Sequence, residues 1–165
     1  MIEGTQEFSL KAVTQWLEAF ETALSKADLT GAGVLFHKDS YWRDLLAFTW
    51  RIQTVRGGDN IVAALKTHGG NGHARHFQID PGRTAPRIVT RAGIEAIEAI
   101  FAFETTTGPA NGVLRLTSDE GEGHGLKAWT LMTALDELRG FEETVGNARP
   151  TGEVWSRDFR GPNWL

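Results

Sequence analysis

The sequence has no cysteine among its 165 residues. That removes disulfides, thiolate metal ligands and cysteine nucleophiles together, and it fits a reducing compartment. Nor does any apolar run approach the ~20 residues needed to cross a bilayer, so no membrane partner is expected. The opening MIEGTQEFSLK carries acidic residues where a secretory signal carries basic ones, and it has no apolar stretch of its own. A cytoplasmic location is the expectation. Lysines and arginines are scattered rather than clustered and the net charge is -4, which leaves no electrostatic footprint for nucleic acid. No G-x-S-x-G nucleophile elbow occurs, and no G-x-G-x-x-G turn, so the chain carries no flavin or nicotinamide fingerprint of its own. What is abundant is aromatic: six tryptophans and nine phenylalanines in a chain that is 41% hydrophobic. That density suits a packed interior or a pocket receiving an apolar ligand.

Hydrophobic periodicity divides the chain into helices followed by strands. Leu10, Val13, Leu17, Phe20, Leu24 and Ala27, widened by Trp16 and Ala23, recur at three- and four-residue spacing and predict a helix over residues 10–27, with Ser9 as its N-cap. Asp28 is placed to cap a short second helix through LTGAGVLF, and SYWRDLLAF to add a helical turn. Phe48, Trp50 and Ile52 then alternate with Thr49, Arg51 and Gln53, the period of a half-buried strand. A glycine pair and Asp59 open a third helix, NIVAALKTH. Beyond it, strands are expected at 74–80, 86–92, 94–107, 112–118 and 125–138, separated by DPGRTAP, GPANG and DEGEGHG. In the longest, Ile97, Ala99, Phe101 and Phe103 share an apolar face, opposite Glu98, Ala102 and Glu104. The expected architecture is α+β, a curved and mainly antiparallel sheet curled around N-terminal helices. It occupies residues 1–140, with 141–165 an extended tail or linker.

Several clusters invite a chemical reading. His68, His73 and His76 fall close together, but no acidic or further nitrogen ligand lies at a supporting spacing, so a glycine-rich loop is preferred over a metal site. GEGHG sits between two strands rather than opening a helix and reads as a hairpin, not a phosphate loop. Trp42, Trp50, Phe101, Phe103 and Trp129 are either plain core or the lining of a pocket for a hydrophobic small molecule. Asp44, in FHKDSYWRDLLAFTW, is either a general base or a structural group bound by Arg43, Arg51 or the backbone donors that follow it.

The order of these elements, with ADLTGAGVLFHKDSYWRD at its centre, resembles the nuclear transport factor 2-like fold, the cone-shaped α+β barrel of ketosteroid isomerases and SnoaL-like polyketide cyclases. The resemblance covers roughly residues 8–140. SYWRDLLAFTWRIQTVRG, AWTLMTALDELRGFEETVG and GPNWL are similar, more narrowly, to the amino-terminal domain of flavin-containing monooxygenase-like proteins. It implies FAD and NADPH in a following domain if one exists, and none in this chain.

In the ketosteroid isomerases of that wider family, a carboxylate at the Asp44 position, five residues after Asp39, acts as general base beside a tyrosine and a protonated aspartic acid. Phe20 stands at the tyrosine position as an apolar pocket residue, and the aspartic acid position falls near Gly112 or Val113. Without those donors the oxyanion is left unstabilised, which argues against ketosteroid-type isomerisation. An Asp-His pair of the dehydratase kind would need His76 or His124 beside Asp44. Two readings follow from the resemblance. One is a pocket domain auxiliary to a flavin-dependent monooxygenase-like protein, substrate-binding or dimerising. The other is a stand-alone dehydratase, isomerase or cyclase with Asp44 as base. A homodimer is the expected assembly.

Overall fold

The computed structural model describes residues 2–119, 125–146 and 149. Helix α1 (Ile2–Ser25) is followed by the short α2 (Leu29–Val34), β1 (Phe36–Leu45), β2 (Ile52–Arg56) and α3 (Gly58–His68). A 3-10 turn (Asn71–His73) leads into β3 (Arg75–Ile79), β4 (Arg87–Arg91), β5 (Ile94–Glu104), β6 (Pro109–Ser118) and β7 (Leu126–Leu135). The strands form one seven-stranded sheet in the order β2-β1-β7-β6-β5-β3, with β4 also paired to β5. β3 pairs with the second half of β5 and β4 with the first, all antiparallel. The only parallel pairing among the described strands is β1 with β7. The expected α+β architecture is what the chain adopts.

The helices cover one face. On it, Trp42 and Asp44 of β1, Ala99, Phe101 and Phe103 of β5, Leu114 and Leu116 of β6, and Leu131 and Thr133 of β7 are buried. From the helices come Val13, Trp16, Leu17 and Phe20 of α1 and Ile61 and Leu65 of α3. The interior is a chain of rings. Trp16 stacks on Phe20 at 5.0 Å, Phe20 meets Phe77 edge-on at 5.5 Å, Phe77 stacks on Phe103 at 4.6 Å, and Phe48 joins Phe103 at 5.9 Å to Trp42 at 5.5 Å. Such pairs contribute about 0.5–1.5 kcal/mol each beyond area burial. Opposite Phe101 the partner strand has Gly112, where a Cβ would overlap the phenylalanine ring and the Met132 carbonyl. The glycine is the space the ring occupies.

Three local expectations are corrected. Helix α1 begins well before residue 10, and Ser9 is no cap: it is buried mid-helix, its hydroxyl donating to the Thr5 carbonyl at 2.9 Å. The buried stripe accordingly runs through Ser9, Val13, Trp16, Leu17 and Phe20, while Leu10 faces out. SYWRDLLAF adds no helical turn; its first six residues are strand β1. Residues 46–51 are a loop rather than strand, and of the alternating trio only Phe48 is buried, with Trp50 and Ile52 exposed. Asp28 does cap α2, accepting from the Gly31 amide at 2.9 Å. His124, most of GEGHG, GPNWL and most of the 141–165 tail lie outside the described residues.

Candidate functional site

Asp44 sits at the last inward-facing position of β1, immediately before the β1–β2 connection, and is 1% exposed. Its carboxylate closes that connection. Oδ2 accepts from the Thr49 amide at 2.8 Å and the Thr49 hydroxyl at 2.6 Å, and the Phe48 amide donates to both oxygens at 3.2 and 3.3 Å. Oδ1 accepts from the Thr133 hydroxyl on β7 at 2.7 Å, and that hydroxyl in turn accepts from Trp42 Nε1 at 3.0 Å. The Leu46 amide donates to the Arg51 carbonyl at 3.2 Å, so the loop ends in a closed turn. Within it, Leu46 and Trp50 adopt positive φ values of 70° and 53°, backbone that non-glycine residues seldom take up without outside support. The result is a plug. Phe48 is driven inward between Trp42 and Phe103, its carbonyl held by Asn71 Nδ2 at 3.0 Å. Of the partners expected for Asp44, the backbone donors supply the bonds; Arg43 donates instead to Thr54 at 3.3 Å.

His76 is elsewhere. Its side chain is 64% exposed on β3, with Nδ1 3.5 Å from Glu104 Oε2. Its backbone takes φ 58° where the β3–β5 register shifts, and the Glu21 carboxylate on α1 stabilises that bulge by accepting from the His76 and Phe77 amides at 2.8 and 3.0 Å. The structure therefore does not bring Asp44 and His76 together. His68 lies within 3.3 Å of Asn71 and His73 ends the 3-10 turn; among the described residues no three histidine or carboxylate side chains gather in metal-binding reach.

The aromatic candidates also separate. Phe20, Trp42, Phe101 and Phe103 are 0–2% exposed and pack in the core against neighbouring rings. Phe103 also borders, with His76, Asn111 and Asp136, a hollow of about 260 Å³. Trp50 is 56% exposed on the plug loop. Trp129 is half-buried beside Ala128, where the β6–β7 register slips.

Space is instead found around the first half of α1. A cleft of about 610 Å³ lies between Thr5, Gln6 and Ser9 and the segment Thr84–Ile88. A second, of about 500 Å³, lies against Phe8, Ala12, Gln15 and Trp16 of the helix and Leu35. A small hollow lined by Phe8, Ile88, Ile97, Leu116 and Leu126 shares Ile88 with the first and Phe8 and Leu126 with the second. Phe8 is 55% exposed at their junction. Periodicity misplaced this region because it started the helix too late.

No protein-family profile and no curated protein matches the chain. Solved structures do. A protein of unknown function from Pectobacterium atrosepticum superposes with a TM-score of 0.55 at 16% identity, over 78% of this chain and 91% of that one. A nuclear transport factor 2-like superfamily protein from Salmonella enterica serovar Typhimurium gives 0.53 at 13% identity, over 83% and 94%. A cystatin-like fold protein from Burkholderia xenovorans gives 0.52 at 13%, over 76% and 90%. At these identities the likeness is one of fold. The class so defined is the cone-shaped α+β barrel, and the chain has the nuclear transport factor 2-like form of it.

Proposed function

We propose that this chain is a small-molecule-binding domain of the SnoaL-like type that works by binding rather than by proton transfer, auxiliary to a flavin-dependent monooxygenase-like protein whose own module holds FAD and NADPH. The observation that carries the binding reading is the state of Asp44. A general base must reach its substrate's proton within hydrogen-bond distance. This carboxylate is buried and already accepts from Phe48, Thr49 and Thr133. The clefts flanking α1 have the volume and the mixed lining of small-molecule sites, with apolar walls from Phe8, Ile88, Leu116 and Leu126 and polar groups from Gln6, Gln15 and Thr84. An apolar or aromatic molecule with a hydrogen-bonding end fits such walls.

The sequence likeness to the monooxygenase-associated domain supports the partner module. Two of the three stretches that carry it fall on β1, β2 and β7, which are neighbours in the sheet, so the likeness describes one contiguous region. Titration with the apolar fluorophore 1-anilinonaphthalene-8-sulfonate, alongside native mass spectrometry of the protein as purified, tests the cleft. Binding is expected to weaken several-fold in Phe8→Asp and Ile88→Asp; unchanged binding in both sinks the site. For the module, the reading frame past Leu165 should continue into a strand and a G-x-G-x-x-G turn.

A further inference from the structure

Three spaces adjoin one another along α1. The hollow, of about 90 Å³, has Ile88 in common with the cleft of about 610 Å³ and Phe8 and Leu126 in common with the cleft of about 500 Å³, so it joins the two. The groove so formed follows the helix from Gln15 back to Thr5, an axial rise of about 15 Å. Its walls are apolar for most of that length, with Trp16 and Leu35 at one end, Phe8, Leu116 and Leu126 in the middle and Ile88 towards the other.

Polar groups are unevenly distributed along it. Lys11 and Gln15 both line the cleft of about 500 Å³. Four residues apart, they stand side by side on the helix, with Cβ atoms about 5–6 Å from one another. Both are exposed, and among the described residues neither is held by a hydrogen bond or an ion pair. No carboxylate of the described residues lines either large cleft. Arg87, at the border of the first, lies 3.6 Å from Glu98, and Glu95 borders the small hollow. A cation and an amide donor therefore stand free at one end of an apolar groove, with a carboxylate partway along it.

We propose, on the reading of these clefts as a small-molecule site, that the groove takes an unbranched aliphatic carboxylate, with an extended chain about as long as that of dodecanoate. Lys11 and Gln15 donate to its head, and the chain runs past Phe8 and Leu126 into the cleft beside Thr84–Ile88. Width selects a chain over a ring, because a hollow of about 90 Å³ passes a methylene chain and stops a fused ring system. Charge selects the head. Lys11 attracts an anion, while Glu95 repels it from the middle of the groove and so leaves it at the Lys11 end.

Isothermal titration calorimetry with octanoate, decanoate and dodecanoate, each below its micelle concentration, tests the chain; decanol and decylammonium, set against decanoate, test the head. A buried methylene is worth roughly a fourfold change in affinity, so each lengthening by two carbons should tighten binding several-fold. Decanoate is expected to bind several-fold tighter than decanol, and decylammonium more weakly than either. Lys11→Gln should remove the advantage of decanoate over decanol, and Lys11→Arg should retain it. Gln15→Glu should weaken decanoate and tighten decylammonium, opposite shifts that a folding defect does not produce. The proposal is overturned if the three heads bind alike, if affinity does not rise with chain length, or if Lys11→Gln and Gln15→Glu bind as the parent does. If 1-anilinonaphthalene-8-sulfonate binds and is weakened by Phe8→Asp and Ile88→Asp while no carboxylate binds, the ligand class is wrong and the clefts stand as a site. If neither the fluorophore nor any carboxylate binds, both readings fall.

Discussion

Replacing Asp44 by asparagine keeps the side chain's volume but turns one acceptor into a donor, while replacement by alanine strands the Phe48 and Thr49 amides and the Thr133 hydroxyl together. Each buried group left without a partner costs about 1–3 kcal/mol. Urea denaturation should therefore place Asp44→Asn roughly 1–2 kcal/mol below the parent and Asp44→Ala at least ~3 kcal/mol below it. A catalytic aspartate free of structural duty would show little loss in either. Gly112→Ala provides a second residue-scale measurement: the added methyl meets the Phe101 ring, and overpacking of this kind costs about 1–3 kcal/mol. Phe101→Leu in the same chain should recover part of that loss, a coupling that a double-mutant cycle detects. Glu98 is the residue whose environment sets a pH dependence. Its hydrogen bond from Arg91, with Arg115 adding to it, holds the carboxyl below its ordinary value despite partial desolvation. A carboxyl depressed in the folded state stabilises above its unfolded value of about 4.3, and that contribution is lost as pH falls through the folded value. The stability gap between parent and Glu98→Gln should be present at neutral pH and close in acid.

At the scale of elements, the strands after residue 74 are legible because Gly, Pro or Asp turns separate them, although β3 and β7 each carry a register shift and GPANG, expected as a turn, is mostly the start of β6. β5 alternates most clearly, with Ala99, Phe101 and Phe103 buried and Ala102 and Glu104 on the other face. The misreadings cluster where a distant group decides the local conformation. Tyr41 to Ala47 carries a spacing compatible with a helical turn, yet β1 is a strand because β2 and β7 pair with it on both sides. Phe48, Trp50 and Ile52 alternate as a strand would, but the Asp44 carboxylate folds that stretch into a loop. Asp44 could be singled out from sequence; its donor Thr133, 89 residues later, carried no signal. Glu21 is a similar case, an α1 residue whose acceptors hold a bulge in β3. Glu21→Gln can satisfy only one of the two amides as before, since its NH₂ end cannot accept. Faster hydrogen exchange at His76 and Phe77, with exchange in β6 and β7 unchanged, is the expected result.

For the molecule as a whole, the interior and exterior have separate tasks. Aromatic rings fill the core, and clefts lie beside α1. The parallel pairing of β1 with β7 binds these regions together, and it also has a bearing on how the chain reaches its native state. During synthesis, β1 emerges early and can pair at once with β2, but its other edge stays open until β7 is made. Over that interval Asp44 lacks the Thr133 hydroxyl, and the plug loop has lost one of its anchors. Pairings of such sequence separation slow folding, because the loop must close before the contacts can form. The exposed edge of β1 is thus the site where a stalled or truncated chain would pair wrongly, and docking of β7 is the step that commits the barrel to its final form.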